Sequence, residues 1–181
     1  KKAPPSTSKT TSSKKNGTEL MQVFIGLGSN LDDPQTQILT AIDDIKKLDN
    51  TRLIKQSSLY HSPPMGPQDQ PDYVNAVVEV DTALPPHVLL DNLQQLEQKH
   101  GRVKKRHWGE RTLDLDILVY SDYVIDDDRL KVPHPGLSER AFVVYPLAEI
   151  VADLTIPGQG QLSVIKQNCP LDGLRKVETH K

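Results

Sequence analysis

At 181 residues, with 36% hydrophobic content and a formal net charge of −2 from 22 basic and 24 acidic side chains, the chain has the size of one ordinary domain. That length leaves no room for a separate cofactor domain, and an acidic balance is a poor basis for general nucleic-acid binding. The single cysteine, Cys169, allows neither an internal disulfide nor a cysteine-based zinc site and suits a cytoplasmic protein, while no apolar run approaches the length of a bilayer span.

Residues 1–20, KKAPPSTSKTTSSKKNGTEL, carry five lysines among Ser, Thr and Pro and almost nothing apolar. They are expected to form a disordered tail ahead of one domain over 21–181, and they lack the apolar centre of a signal peptide. Residues 21–28 (MQVFIGLG) read as a short apolar strand, with Gly28, Ser29 and Asn30 turning out of it. A helix follows, with Asp33 as N-cap, Pro34 in the first position and Ile38, Ile42, Ile45 and Leu48 on one stripe. Residues 51–60 read as extended. The Pro-, Gly- and Gln-rich loop 62–72 then leads to a strand over 73–80, and a loop of that length inside a compact domain is more often functional than idle. A second helix starts at Pro85 or Pro86, carries Leu89, Leu93 and Leu96, and stops at Gly101.

A basic stretch (Arg102, Lys104, Lys105, Arg106, His107, Arg111) precedes the strand TLDLDILVY. Beyond Tyr120 come a turn at 126–128, a VPHP loop around His134, a helix over about 138–150 and a short terminal segment containing 162–165. The order β, α, β, β, α, β matches an α+β, ferredoxin-like core. Such a core has an antiparallel sheet, helices packed on one face and the other face free to bind, here followed by a C-terminal extension.

Four clusters carry chemistry. On a strand, Leu113, Leu115, Ile117 and Val119 take one face while Asp114 and Asp116 share the other, roughly 7 Å apart. Two carboxylates so placed suit a divalent metal such as magnesium; the bland alternative is the solvated acidic face of an edge strand. Glu97, near the end of the second helix, either joins that cleft or is a solvated helix residue. The basic loop is the second cluster: Arg111 lies close enough to reach metal-held phosphate oxygens and Gly109 lets the loop close, while a purely solvated loop is the alternative for each lysine. Tyr73, Asn75, Trp108 and Phe142 suit a flat heterocycle stacked between rings and read by an amide, although core packing would also explain Phe142. His134, between two prolines, and Arg140 either touch phosphate or cap a turn, and spacing does not decide. His61, His87, His100 and His180 lack ligand spacing. GLGSNL fails as a dinucleotide fingerprint because Leu31 occupies the place of the third glycine.

Taken together, FIGLGSN, SPPMGPQDQPDYVNAVV, HGRVKKRHWGERTLDLDIL and VPHPGLSERAFVVYPLAEI resemble the 6-hydroxymethyl-7,8-dihydropterin pyrophosphokinases, over about residues 21–170. These folate-pathway enzymes move diphosphate from ATP to a pterin alcohol. The resemblance implies that Asp114 and Asp116 hold two Mg2+ ions against the triphosphate, and that Tyr73 and Phe142 sandwich the pterin. Asn75 and segment 62–65, with Ser62, Pro64 and Met65, would hydrogen-bond its edge. Trp108 and Arg111 would close over the site, and Gln94, Glu97, Arg102, Lys105, Ile117, Arg129, Lys131, His134 and Arg140 would contact ATP. The chain departs from the pattern at His107, where Arg is frequent, and at Pro135. A cytoplasmic monomer with no membrane or nucleic-acid partner is expected. Two rival readings fit less well: a metal-dependent nucleotidyl transferase or cyclase has no use for a stacked pterin pocket, and an RNA-binding module would carry aromatics where the aspartates stand.

Overall fold

Valine, isoleucine and leucine at alternate positions of three long strands build the sheet on which everything else is mounted. The computed structural model describes residues 14, 15, 18–101 and 112–178. In chain order the elements are β1 (Met21–Ser29), α1 (Pro34–Lys46), β2 (Thr51–Gln56), β3 (Tyr60–Ser62), β4 (Tyr73–Thr82), α2 (Pro86–Lys99) and β5 (Asp114–Tyr120). After them come β6 (Ile125–Asp126), β7 (Lys131–Val132), α3 (Ala141–Ile150), β8 (Thr155–Ile156), β9 (Gly160–Gln161), α4 (Leu162–Gln167) and β10 (Arg175–Lys176). A two-residue ladder also pairs Lys14 with Glu19 and Lys15 with Thr18. Leu20, assigned to the tail by composition, is buried.

The main sheet is antiparallel in the order β10-β3-β4-β1-β5, so among the described residues β5 is an edge strand. β2 pairs with the far half of the β4 edge that β3 uses, through Thr51 opposite Thr82 and Leu53 opposite Val80. The extended stretch expected over 51–60 is thus two short strands with a break at Ser57–Leu59. One face of the sheet buries Val23, Ile25, Leu27, Val78 and Ile117 beneath Ile38, Ile42 and Ile45 of α1 and Leu89 and Leu93 of α2. Each fully buried aliphatic side chain of this kind stabilises the fold by roughly 1.5–3 kcal/mol.

The open sheet face expected opposite α1 and α2 is open over only part of its area. α3 and α4 cover the rest, packing Val143, Val144, Leu147 and Ile165 against Phe24, Val77 and Leu118. The ladder changes register where that cover begins: Phe24 pairs with Val119 and Ile25 with Ile117, leaving Leu118 as the extra residue of a bulge. A bulge reverses the alternation beyond it. Val119, expected to share a face with Leu115 and Ile117, therefore joins Leu118 beneath α3, and Tyr120 takes the α2 side.

Two helix starts differ from expectation. Asp33 sits before α1 in a left-handed conformation (φ 61°), and its carboxylate accepts from the Thr36 hydroxyl at 2.9 Å instead of capping a backbone amide. The helix expected from about residue 138 is a 3-10 turn, Leu137–Glu139, joined to α3 through an extended Arg140.

Glu149 ties α3 to the break between β2 and β3. It accepts from the Ser58 amide at 3.0 Å, the Ser58 hydroxyl at 2.6 Å and the Tyr60 hydroxyl at 2.8 Å. Burial alone would raise its carboxyl, but these hydrogen bonds outweigh burial and hold it below the ordinary glutamate value. A depressed folded-state value contributes stability above the unfolded value, and that contribution is lost as pH falls through the folded value. Between about pH 5 and 3, the unfolding free energy of the parent chain is accordingly expected to fall more steeply than that of Glu149→Gln, as measured by urea denaturation across pH. Parallel slopes would contradict this role.

Candidate active site

Where α3 and α4 leave the sheet uncovered, a cleft of about 620 Å³ opens over the ends of β1, β4 and β5. Two cross-sheet rows make its floor. One runs Asn75, Gly28, Asp114, and the next contributes Gly26 and Asp116 beside the buried Val77, so a glycine lies beside each aspartate. From sequence, Gly28 reads only as a turn residue and Gly26 has no role; the signal that identifies them is the matching i, i+2 spacing of G-x-G and D-x-D. A Cβ on Gly28 would lie 3.2 Å from Asn75 Oδ1 and 3.7 Å from a Tyr73 ring carbon, and one on Gly26 would lie 3.3 Å from Leu118. Bare backbone is what lets Asn75 and Tyr73 lie against the floor.

One wall is aromatic and amide. Asn75 Nδ2 donates to Ser62 Oγ at 2.7 Å, and both side chains are buried. Tyr73, Met65 and Phe142 also line the cleft, and the Arg140 guanidinium stands 5.9 Å from the centre of the Phe142 ring. At Gly136 a Cβ would fall 2.8 Å from Arg140 Nε, so a side chain there would displace the guanidinium. The loop 62–72 is held by its own amides. Asn30 Nδ2 donates to Gln70 Oε1 at 3.0 Å and to the Pro71 carbonyl at 2.9 Å, and Gln68 Nε2 donates to the carbonyls of Pro64 and Gly66. Pro64 itself does not line the cleft; it borders an adjoining hollow of about 260 Å³ that shares Ser62, Met65 and Phe142.

The other wall is polar and charged. Gln94 and Glu97 come from α2, and Arg129 and Lys131 from the β6–β7 arm. Arg129 donates to Asp91 at 2.6 Å and to Gln94 at 3.2 Å, while Lys131 pairs with Asp126. Ile117 borders the cleft but buries its side chain in the helix-side core, so it offers backbone there. Asp127 and Asp128, unassigned from sequence, also line this side. Glu97 is not a solvated helix residue: it is 5% exposed and accepts from the Leu115 amide at 2.7 Å. His134 both lines the cleft and caps a turn, since its Nδ1 accepts from the Gly136 amide at 3.0 Å. Burial, with the positive charge of Arg140 adding to it, pushes the imidazole down to about 4. It is therefore neutral at pH 7, with Nε2 carrying the hydrogen.

Asp114 and Asp116 are an oxygen-only donor pair over a floor without side chains, which fits a hard divalent cation. Among the described residues, no group of three or more His, Cys, Asp or Glu side chains could hold a metal ion. Trp108, Arg111, Arg102 and Lys105, with the rest of the basic loop, lie outside the described residues.

Residues 24–152 match the family described as 7,8-dihydro-6-hydroxymethylpterin-pyrophosphokinase (HPPK). A 2-amino-4-hydroxy-6-hydroxymethyldihydropteridine pyrophosphokinase of Haemophilus influenzae is 51% identical over 138 residues, covering 76% of this chain and 86% of the relative. The protein of that name from Pseudomonas aeruginosa is 46% identical over 158 residues, covering 87% of this chain and 98% of the relative. In fold, the chain is similar to the crystal structure of wild-type Plasmodium falciparum HPPK-DHPS, with a TM-score of 0.66 at 13% identity. The match covers 85% of this chain and 45% of that longer protein.

The depressed imidazole makes a direct prediction. Its folded value lies below the ordinary 6.5, so His134 costs the fold stability as pH falls from there towards about 4, and it stays uncharged above. NMR titration is expected to show no protonation of His134 between about pH 8 and 5.5. A midpoint near the ordinary histidine value would contradict the burial argument.

Proposed function

The chain belongs to the 7,8-dihydro-6-hydroxymethylpterin-pyrophosphokinase family, and we propose that its cleft transfers diphosphate from ATP to the hydroxymethyl group of 6-hydroxymethyl-7,8-dihydropterin, a step of folate biosynthesis that leaves AMP. The observation that carries this reading is the row Asn75, Gly28, Asp114: an amide able to read a heterocycle and a carboxylate able to hold a metal sit on the two strands that flank β1, across its bare glycine. In this reading Tyr73 and Phe142 stack on the pterin, while Asn75, Ser62 and Met65, with the backbone around Pro64, read its edge. Gln94, Glu97, Ile117, Arg129, Lys131, His134 and Arg140 face ATP, joined by Arg102 and Lys105 from the basic loop. Trp108 and Arg111 close over both substrates.

The chemistry follows from what these groups can do. Asp114 and Asp116 would hold two Mg2+ ions, which would supply charge neutralisation and acidify the pterin hydroxyl, so no dedicated protein base is needed. The two carboxylates orient the phosphates over the glycine floor. The pterin hydroxyl gives its proton to a phosphate oxygen, its oxygen forms a bond to the β-phosphorus as the bond from that phosphorus to the α,β-bridging oxygen breaks, and AMP leaves with the bridging oxygen. Arg140 and Arg111 stabilise the transferring charge, and His134 offers a neutral Nε2–H donor. Rings and loop together exclude water that would otherwise hydrolyse ATP. The ferredoxin-like reading of the core is supported by its strand order β5-β1-β4-β2, with α1 and α2 on one face. A cytoplasmic monomer completes the proposal. No helix among the described residues is long and apolar enough to cross a membrane.

Purified protein supplied with Mg2+, ATP and 6-hydroxymethyl-7,8-dihydropterin is expected to make AMP only when the pterin is present. AMP formation independent of the pterin would overturn the proposal. Asp114→Ala and Asp116→Ala are each expected to lower kcat by about a thousandfold, corresponding to about 4 kcal/mol of transition-state stabilisation. Gly28→Ala crowds Asn75 Oδ1 and is expected to weaken pterin binding by about tenfold in a fluorescence titration, or about 1.4 kcal/mol. Unchanged pterin affinity would remove Asn75 from the pterin's edge.

A further inference from the structure

We infer that Glu97 is a positioning residue whose buried hydrogen bond to the Leu115 amide holds Asp114 and Asp116 at their working height; this rests on the proposed reading of the cleft. Among the described residues, β5 has a strand partner on one side only. An amide of an edge strand that points away from its partner has nothing in the sheet to receive it. For Leu115 that amide is directed into protein, where leaving it unpaired would cost its full desolvation. The Glu97 carboxylate receives it at 2.7 Å.

Glu97 stands where a leucine would be expected. The buried positions of α2 are Leu89, Leu90, Leu93 and Glu97, so the carboxylate continues the apolar stripe that packs α2 on the sheet. Burying a carboxylate is costly unless hydrogen bonds compensate it, which makes an incidental role a poor explanation. Leu115 is the residue between the two aspartates. Its side chain is 4% exposed in the helix-side core, and its amide is held by Glu97. Held at both points, it leaves the flanking carboxylates little freedom along or across the strand, and small misplacements of groups that orient a reaction are expensive in rate.

Hydrogen exchange at the Leu115 amide, measured without nucleotide or metal, tests the bond, and kinetics test its consequence. In Glu97→Ala the amide is expected to exchange at least about tenfold faster than in the parent, with kcat lowered about thirtyfold and the pterin KM within about threefold. Glu97→Gln keeps an oxygen acceptor while removing the charge. It is expected to keep Leu115 protected and to recover about tenfold or more of the kcat lost in Glu97→Ala. Glu97→Gln with protected Leu115 and a kcat as low as that of Asp114→Ala would overturn the inference, because charge facing the cleft would then be what matters. Unchanged Leu115 exchange in Glu97→Ala would also overturn it. If Glu97→Ala does not fold, Glu97→Gln decides by the same two readouts. Failure of the cleft reading is distinguishable, since it shows as absent pterin-dependent AMP formation in the parent while Leu115 exchange still reports the bond.

Discussion

Asp114 and Asp116 share one face of an edge strand, and like charges so close are tolerable only where solvent or a counter-charge reaches them. That requirement organises the molecule around it. The same sheet face must be dry under α3 and open at the aspartates, and the border between the two is the bulge at Leu118. Below it, Leu118 and Val119 both turn into the α3 side; above it, strict alternation puts both carboxylates in the cleft. Without the extra residue, a strand that alternates correctly for the aspartates would offer the α3 side a different set of side chains.

The walls follow from the floor. Gly26 and Gly28 remove the side chains that would otherwise fill the space between β5 and β4, which leaves room for Asn75 and Tyr73 on one side and a polar ligand on the other. Preorganisation there comes from amide and carboxylate hydrogen bonds more than from packing. Asn30, Gln68 and Gln70 hold a proline-rich loop in place, and Glu149 locks the helix that carries Phe142 to the β2–β3 break. His134 is held neutral by burial and is oriented by its own turn. Fixed donors of this kind cost little reorganisation when charge develops in a reaction.

Much of this is legible in the residues. The stripe Ile38, Ile42, Ile45 and the alternation around Asp114 and Asp116 locate α1, β5 and the cleft, because both are local periodicities of strongly apolar side chains. What is not legible depends on tertiary partners. Val119 changes face because of a single inserted residue, which no pattern of hydrophobicity marks. Asp33 occupies a cap position yet turns left-handed and receives a side-chain hydroxyl. Glu97 reads equally as solvent-facing or cleft-facing until the edge of the sheet is known to run beside it. The cover supplied by α3 and α4 depends on how the chain returns after Tyr120, and the short elements there leave a weak signal.

In the proposed function, one row of the sheet brings a heterocycle and a metal-held phosphate together. A crystal structure of the protein with Mg2+, an unhydrolysable ATP analogue and 6-hydroxymethyl-7,8-dihydropterin tests it most directly. Metal is expected on Asp114 and Asp116, pterin between Tyr73 and Phe142, and its hydroxymethyl oxygen about 3–3.5 Å from the β-phosphorus, opposite the leaving oxygen. Pterin seated in the hollow beside Pro64, or metal bound away from both aspartates, would contradict it.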